Sequence, residues 1–407
     1  MHFRQDMCHF FCIFVTTKTL VMKILFWTLT ILVTIIDIRV IYALYKKKAY
    51  IGVGCYSLFA LITDIVIWIV PYITIIGEKQ PLIPVFCYYI LLLTAPCKIL
   101  LALGWLLDYH RKTACRCWLT GAISVVSLYV MVMVVGTIYP IRTIRVQHLE
   151  FEYKNLPEAF DGVKIGFFTD VHLGSLTAGN RILQQIADSL NAAGCLFAVN
   201  GGDLINIRNS ELNPKYMDLL SQIDMPVYSV VGNHDLGYYR KDTLEYTVAQ
   251  STADFKRAID RLGWIRLDND SQWIRYGGDS IMITGVEFNR AVAYYRHRRD
   301  VGGVDIDSLV RIVPPETFHI AVSHIPQYWK QFAATSVGDL TLAGHTHAMQ
   351  CKVLGWSPAA LLYDWWGGTY TTNDKILYVS EGVGFAGIPV RLGTPPQIAI
   401  ITLKKCI

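Results

Sequence analysis

Charge is scarce in this 407-residue chain: Asp, Glu, Lys and Arg make up 17% of it, against 53% hydrophobic residues. So apolar a chain is not disordered, and it fits poorly into a single soluble globule. Cysteine is present without pattern. There is no Cys-x-x-Cys pair, Cys115-x-Cys117 stands between two apolar runs, and only Cys195, Cys351 and Cys406 follow residue 140, an odd number that argues against a disulfide framework. Glycine (30) and proline (15) are too few and too scattered for a collagen-like or low-complexity chain. The net charge of +5 is no sign of nucleic acid either. Up to residue 140 there are 12 Lys and Arg against 5 Asp and Glu, and beyond it 25 against 27. The basic surplus belongs to the apolar third, where it sets membrane topology.

What is there begins with four apolar runs, at about 22–45, 50–76, 82–107 and 118–139. Each exceeds the roughly 20 residues needed to cross a hydrocarbon core, and the connections are short and polar. The expectation is an N-terminal four-helix transmembrane bundle over 22–141. Met22-Lys23 reads as a natural start and residues 1–21 as a non-native leader; no cleavable signal peptide is present. One membrane face receives Lys46, Lys47, Lys48, Arg111, Lys112 and Arg116, the other Lys23, Lys79, Arg142 and Arg145. By the positive-inside rule the first set is cytoplasmic, which puts residues 142–407 outside the cytoplasm. Asp37, Asp64 and Lys98 fall inside the spans, and Lys98 is expected to pair with one of the two carboxylates because a lone charge there is costly.

From about residue 143 the pattern changes. A buried strand at Val163–Thr169, an apolar helical face of Ile182, Leu183, Ile186, Ala187 and Leu190, a strand at Leu196–Asn200, a helix at Asn213–Ile223 and a strand at Val227–Val231 give a βαβαβ order with parallel strands. Further strands are predicted at Trp264–Leu267, Ser280–Gly285, Phe318–Ser323, Asp339–Ala343, Lys375–Val379 and Ile398–Leu403.

Polar residues of one kind close these strands: Asp170-Val171-His172, Gly202-Asp203, Gly232-Asn233-His234-Asp235, His324, and Gly344-His345-Thr346-His347. Open α/β sheets hold ligands beyond the carboxyl ends of their strands, so the five segments can meet in one crevice. Imidazole, carboxylate and amide oxygen suit divalent Mn, Fe or Zn. In extended backbone, Asp170 and His172, and likewise His345 and His347, point to the same side.

This set resembles the calcineurin-like metallophosphoesterase family. Leu156-Pro157, Phe160-Asp161-Gly162, the run Asp170 to Gly174, Tyr378-Val379-Ser380, Val390-Arg391-Leu392-Gly393 and Pro395-Pro396 look like its membrane-associated bacterial branch. The resemblance implies two mixed β-sheets in a sandwich flanked by helices, holding two divalent metal ions. Asp170, His172 and His347 would bind the first, Asn233, His324 and His345 the second, and Asp203 would bridge them. His234 would assist the leaving group, with Asp235 holding its ring, while a metal-bridging hydroxide attacks phosphorus. The branch follows its last His-x-His with two glycines and a glutamine; here Ala348-Met349-Gln350 stands.

The chain is thus expected to be a membrane-anchored, manganese-type phosphoesterase or phosphodiesterase in a bacterial plasma membrane. Its substrate would be a phosphomonoester, phosphodiester or pyrophosphate, lipid-linked or from the cell envelope, with no nucleic acid or protein partner. The alternatives are a UDP-diacylglucosamine-type pyrophosphatase of lipid A assembly and a metal-binding membrane sensor or transport subunit. Arg296, Arg298 and Arg299, in a run mixed with Tyr294 and Tyr295, are candidate substrate contacts, and Trp365-Trp366 either meets the membrane interface or packs.

Overall fold

A computed structural model describes residues 28, 30–46, 48, 50–76, 82–111, 117–140, 142–176, 178–237, 248–288 and 306–406. They fall into two compact units, one holding the described residues up to Ile76 and those of Phe86–Val132, the other holding 82–85 and the described residues from Met133 onward. The proposed leader, 1–21, lies outside them.

Each apolar run is helical among the described residues: 30–46, Tyr50–Ile76, Leu82–Arg111 and Cys117–Ile138, the last two having their first and final residues, respectively, in the second unit. Among the described residues Cys117–Ile138 alone is long and apolar enough to cross a membrane, with Gly54–Val66 as a shorter apolar stretch. The ionisable residues within the helices meet. The Nζ of Lys98 donates to Asp37 Oδ2 (2.5 Å) and to Thr63 Oγ1 (2.6 Å), and lies 3.3 Å from Asp64 Oδ1. Tyr56 adds a hydroxyl hydrogen bond to Asp37 Oδ1 at 2.6 Å. Lys98 therefore joins both carboxylates rather than one. Lys98→Met leaves the buried Asp37 and the half-buried Asp64 without their cation and should cost about 3–5 kcal/mol of stability; a thermal midpoint in detergent unchanged by the substitution would contradict that.

The second unit is built on two six-stranded sheets. One contains β1 (Arg145–Tyr153), β2 (Lys164–Phe168), β3 (Phe197–Asn200), β4 (Val227–Ser229), β5 (Ile265–Arg266) and β12 (Gln397–Lys405), in the order β1-β12-β2-β3-β4-β5. The other contains β6 (Asp270–Tyr276), β7 (Asp279–Val286), β8 (His319–Ser323), β9 (Leu340–Ala343), β10 (Gly368–Thr372) and β11 (Lys375–Val379), in the order β10-β11-β9-β8-β7-β6. Both are mixed. Strands β2 to β5 are parallel with β12 antiparallel to β2, and β7, β8, β9 and β11 are parallel between two antiparallel hairpins.

The two-residue period of a strand sorts the side chains. Ile165 and Phe167 of β2 and Phe197 and Val199 of β3 join Ile283, Ile320, Val322 and Leu342 between the sheets. Phe168 and Ala198 point the other way, onto Ile182, Leu183, Ile186 and Leu190 of the helix Gly179–Ala193. The apolar face expected for that helix is the face it buries. The helix predicted at Asn213–Ile223 is shorter, Pro214–Leu220: Asn213 caps it by accepting from the Tyr216 N–H, and Pro214 occupies its first turn.

Candidate metal centre

The strand ends of both sheets deliver the predicted donors to one place. Asp170 follows β2, Asp203 follows β3, Asn233 and His234 follow β4, His324 follows β8, and His345 and His347 follow β9. Five of these residues hold the left-handed backbone: Asp170 (φ 55°), His172 (46°), Asp203 (54°), His345 (73°) and His347 (51°). Each costs roughly 1–2 kcal/mol in an L-residue, and such strain gathers where a site needs side chains aimed against the run of the chain. Two glycines make the approach possible. A Cβ on Gly202 would lie 2.6 Å from the Gly232 nitrogen, and one on Gly232 would lie 2.1 Å from Asp203 Oδ1.

The ligand atoms form three overlapping groups, each within 4.8 Å: Asp170, His172 and His347; His172, Asp203 and His234; Asp203, His324 and His345. Asp203 Oδ2 is 3.1 Å from His324 Nε2 and 3.6 Å from His172 Nε2, so one carboxylate faces both ends of the cluster. Asp170 Oδ1 lies 3.2 Å from His347 Nε2, and Asn233 Oδ1 lies 3.1 Å from His324 Nε2. The Nε2 atoms of His172 and His347 stand 3.0 Å apart in a buried space. Both nitrogens, which share a hydrogen bond here, are thereby turned to the same point as Asp170 Oδ1, where one cation could take all three. Among the described residues the ion-pair contacts of Asp170 and Asp203 are to histidines alone. The donor set fits a pair of divalent cations.

Electrostatics prepare most of these groups. Burial alone would raise the carboxyls of Asp170 and Asp203; His347 and His324 respectively outweigh it and hold both well below the usual carboxylate range. Burial, with His234 next to it, pushes His172 down, leaving a neutral imidazole. His324 runs the other way, because Asp203 overcomes burial and raises it to about 9. Its Nδ1 is 2.8 Å from the Gly201 carbonyl, which can only accept, so Nδ1 carries a proton and Nε2 is the nitrogen turned to the site.

One expected contact is different. Asp235 does not hold the His234 ring. Its carboxylate accepts from the backbone N–H groups of Asp203 (2.7 Å), Gly232 (2.9 Å) and Ile205 (3.1 Å), tying the β3 and β4 loops together. Burial, then the Asp203 charge, pushes Asp235 up to about 8. The His234 ring is instead placed by the Asn206 carbonyl, 2.5 Å from Nδ1. The contact was implied by the resemblance; here the carboxylate at the turn satisfies the nearby backbone donors instead.

Two supporting residues had no role assigned from the sequence: Glu211, and Arg391, which stands in the Val390–Gly393 run of the resemblance. Glu211 is buried and accepts four backbone N–H groups, those of Gly174, Asn206, Ile207 and Arg208, at 2.5–3.0 Å. It thereby clamps the loop after His172 to the loop that holds His234. Arg391, also buried, donates to the carbonyls of Glu381, Gly384 and Thr394 and lies with Nη2 3.2 Å from His347 Nδ1. Glu211→Ala strands four donors and should lower stability by about 3–5 kcal/mol, read as a fall in the thermal unfolding midpoint. An unchanged midpoint would show that water replaces the carboxylate.

Of the candidate substrate contacts, Arg296, Arg298 and Arg299 lie outside the described residues. Trp365 packs against Trp329, Ala343, Leu377 and Val379.

The sequence profile of the family described as Calcineurin-like phosphoesterase matches residues 163–349. A protein of Danio rerio described as "Transmembrane protein with metallophosphoesterase domain" is 28% identical over 266 residues, covering 64% of this chain and 57% of its own length. A protein of the same description from Bos taurus is 28% identical over 307 residues, 73% of this chain and 64% of its own length. An uncharacterised metallophosphoesterase of Bacillus subtilis is 26% identical over 263 residues, 61% of this chain and 82% of its own. The chain thus spans less than two thirds of either animal relative.

Proposed function

We propose that this chain, which belongs to the calcineurin-like phosphoesterase family, is a membrane-anchored dinuclear hydrolase of a phosphomonoester, phosphodiester or pyrophosphate, lipid-linked or from the cell envelope. The observation that carries it is the position of Asp203, whose Oδ2 faces His324 at 3.1 Å and His172 at 3.6 Å. Asp170, His172 and His347 would hold one cation, Asn233, His324 and His345 the other, and Asp203 both. Two such cations supply an acidified water and neutralise charge on the phosphoryl oxygens.

The chain's own groups do the rest. The Asn206 carbonyl accepts from His234 Nδ1–H, which fixes the tautomer and leaves Nε2 to face the crevice. A protonated Nε2 can donate to the departing oxygen. Asp235 keeps the loop of Asp203 and the turn before His234 at a fixed distance through three backbone hydrogen bonds. The crevice floor is shielded from bulk solvent, since Asp170, His172 and His324 are fully buried.

Membrane anchoring over 22–141 is supported by Cys117–Ile138 and by the description of the two animal relatives as transmembrane proteins. The Lys and Arg distribution favours a domain at 142–407 on the extracytoplasmic side. Metal analysis of the purified full chain should find about two ions, and Mn²⁺ should support turnover of a nitrophenyl phosphodiester that chelation abolishes. Less than one ion per chain overturns the dinuclear reading. A reporter fused after residue 407 that works only in the cytoplasm overturns the sidedness.

A further inference from the structure

Six of the nine large hydrophobic residues exposed among the described residues after Arg142 lie in one short stretch: Met349, Val353, Leu354, Trp356, Leu361 and Leu362. Leu354 is 103% exposed. It stands at the tip of a tight turn in which the Val353 and Trp356 backbones exchange hydrogen bonds of 2.8 and 3.0 Å. Both central residues, Leu354 (φ 50°) and Gly355 (φ 84°), have positive φ, the backbone of a turn that favours Asn-Gly. The same chain does use such residues elsewhere: Asn373 and Asp374, both at positive φ, make the β10–β11 turn. A leucine at this tip is strained and buries nothing in the fold. Its benefit lies outside the domain.

The turn is also tied to the point where the chain leaves the apolar helix. The Lys352 N–H donates to the Leu392 carbonyl (2.7 Å) and the Leu392 N–H to the Gln350 carbonyl (2.8 Å), while the Arg391 N–H donates to the Gly136 carbonyl (2.8 Å). Gly136 belongs to the last turns of Cys117–Ile138, the helix long and apolar enough to cross a membrane, and all of these residues lie in the second unit. At its other end the stretch begins beside the metal-centre residue His347, and Ser357 Oγ anchors it by donating to the Ala348 carbonyl at 2.6 Å. Its single charge, Lys352, is ion-paired to Glu381, and there is no acid between 349 and 362, so the stretch offers the bilayer apolar side chains and no unpaired charge. Exposed leucines and a tryptophan beside a membrane exit have the composition of an interfacial contact.

We infer that residues 349–362 form a lip that inserts into the interfacial layer of the bilayer and holds the metal centre at the level of lipid headgroups. The inference rests on the membrane-anchored reading above, and it narrows the substrate class to phosphate esters embedded in a bilayer. The lip commits to lipid as its occupant, not to a second protein.

The test uses the full chain, its native cysteines replaced by serine, reconstituted in phosphatidylcholine–phosphatidylglycerol vesicles. Nitroxides are placed at Leu354→Cys, Leu361→Cys and Ile312→Cys, the last being an exposed site away from the lip. Relaxation at 354 and 361 should respond to oxygen and be shielded from a water-soluble nickel chelate, while 312 should respond to the chelate. A chelate-accessible probe at 354 in a chain that resists carbonate extraction overturns the lip alone. Shielding from both agents signifies a protein contact and overturns it too. Release of the chain by carbonate overturns the anchoring reading, and the inference with it. Leu354→Asn gives a second measurement. It relieves the left-handed backbone, so the thermal midpoint in detergent should rise, while turnover of a bilayer-embedded phosphate ester should fall about tenfold and that of a soluble nitrophenyl ester stay unchanged. Equal turnover of the embedded ester by the variant and the parent chain counts against the lip.

Discussion

Asp203→Asn should lower bound metal to about one ion per chain or less and cut turnover by at least about 10³-fold, with little loss of fold stability. The reason is that Asp203 serves two purposes through separate atoms. Its Oδ1 accepts the His234 backbone N–H at 2.8 Å and its own N–H is held by Asp235, contacts that an asparagine oxygen and backbone preserve. Its Oδ2 is the atom between His172 and His324, and there the amide loses the charge that two cations would share. Elemental analysis, turnover and the unfolding midpoint measured on the same sample separate the two purposes. Full metal content in the variant would mean that the two ligand sets bind independently, and the shared role of Asp203 would be abandoned.

His234→Ala should reduce turnover by about 10²–10⁴-fold while both ions stay bound, the range for loss of a positioned general acid. The effect should depend on the leaving group. A nitrophenolate departs without protonation, so its ester should lose the least, and an alkyl phosphate ester the most. This contrast matters because His234 shares a potential ligand group with His172 and Asp203. If metal content falls with turnover, His234 is a ligand. If all esters lose equally, it positions substrate without moving a proton.

Much of this fold could be read from residue order, and what was missed has a common physical cause. The buried strands β2, β3, β8, β9 and β11 are near-continuous apolar runs closed by polar residues, and their predicted and observed limits agree closely. The unpredicted strands β1, β6 and β10 are all sheet edges. An edge strand buries one flank at most, so its apolar alternation is diluted: β10, Gly368–Thr372, has no fully buried residue, and β6 has one. The donors were legible because metal chemistry restricts them to few residue types. Their supports were not. Glu211 and Arg391 act through backbone N–H and carbonyl groups, which every residue type carries, so residue identity alone does not reveal what they hold together.

The departure at Ala348-Met349 has a structural counterpart. Ala348 (φ 49°) and Met349 (φ 47°) occupy left-handed backbone where the family's pattern places glycines. The backbone takes the left-handed shape that glycine favours, with the strain of two side chains tolerated. Met349 then opens the apolar stretch described above.

Strand β12 lies between β1 and β2 and is β1's sole sheet neighbour. During synthesis β1 therefore waits unpaired while some 240 residues emerge from the ribosome behind it, since its register with β12 runs from Arg145 opposite Gln397 to Tyr153 opposite Lys405. The layer carrying Asp170 and Asp203 cannot close until residues 397–405 have been translated. A chain cut short before residue 397 would leave β1 without a neighbour and the flank of β2 open, an aggregation-prone edge.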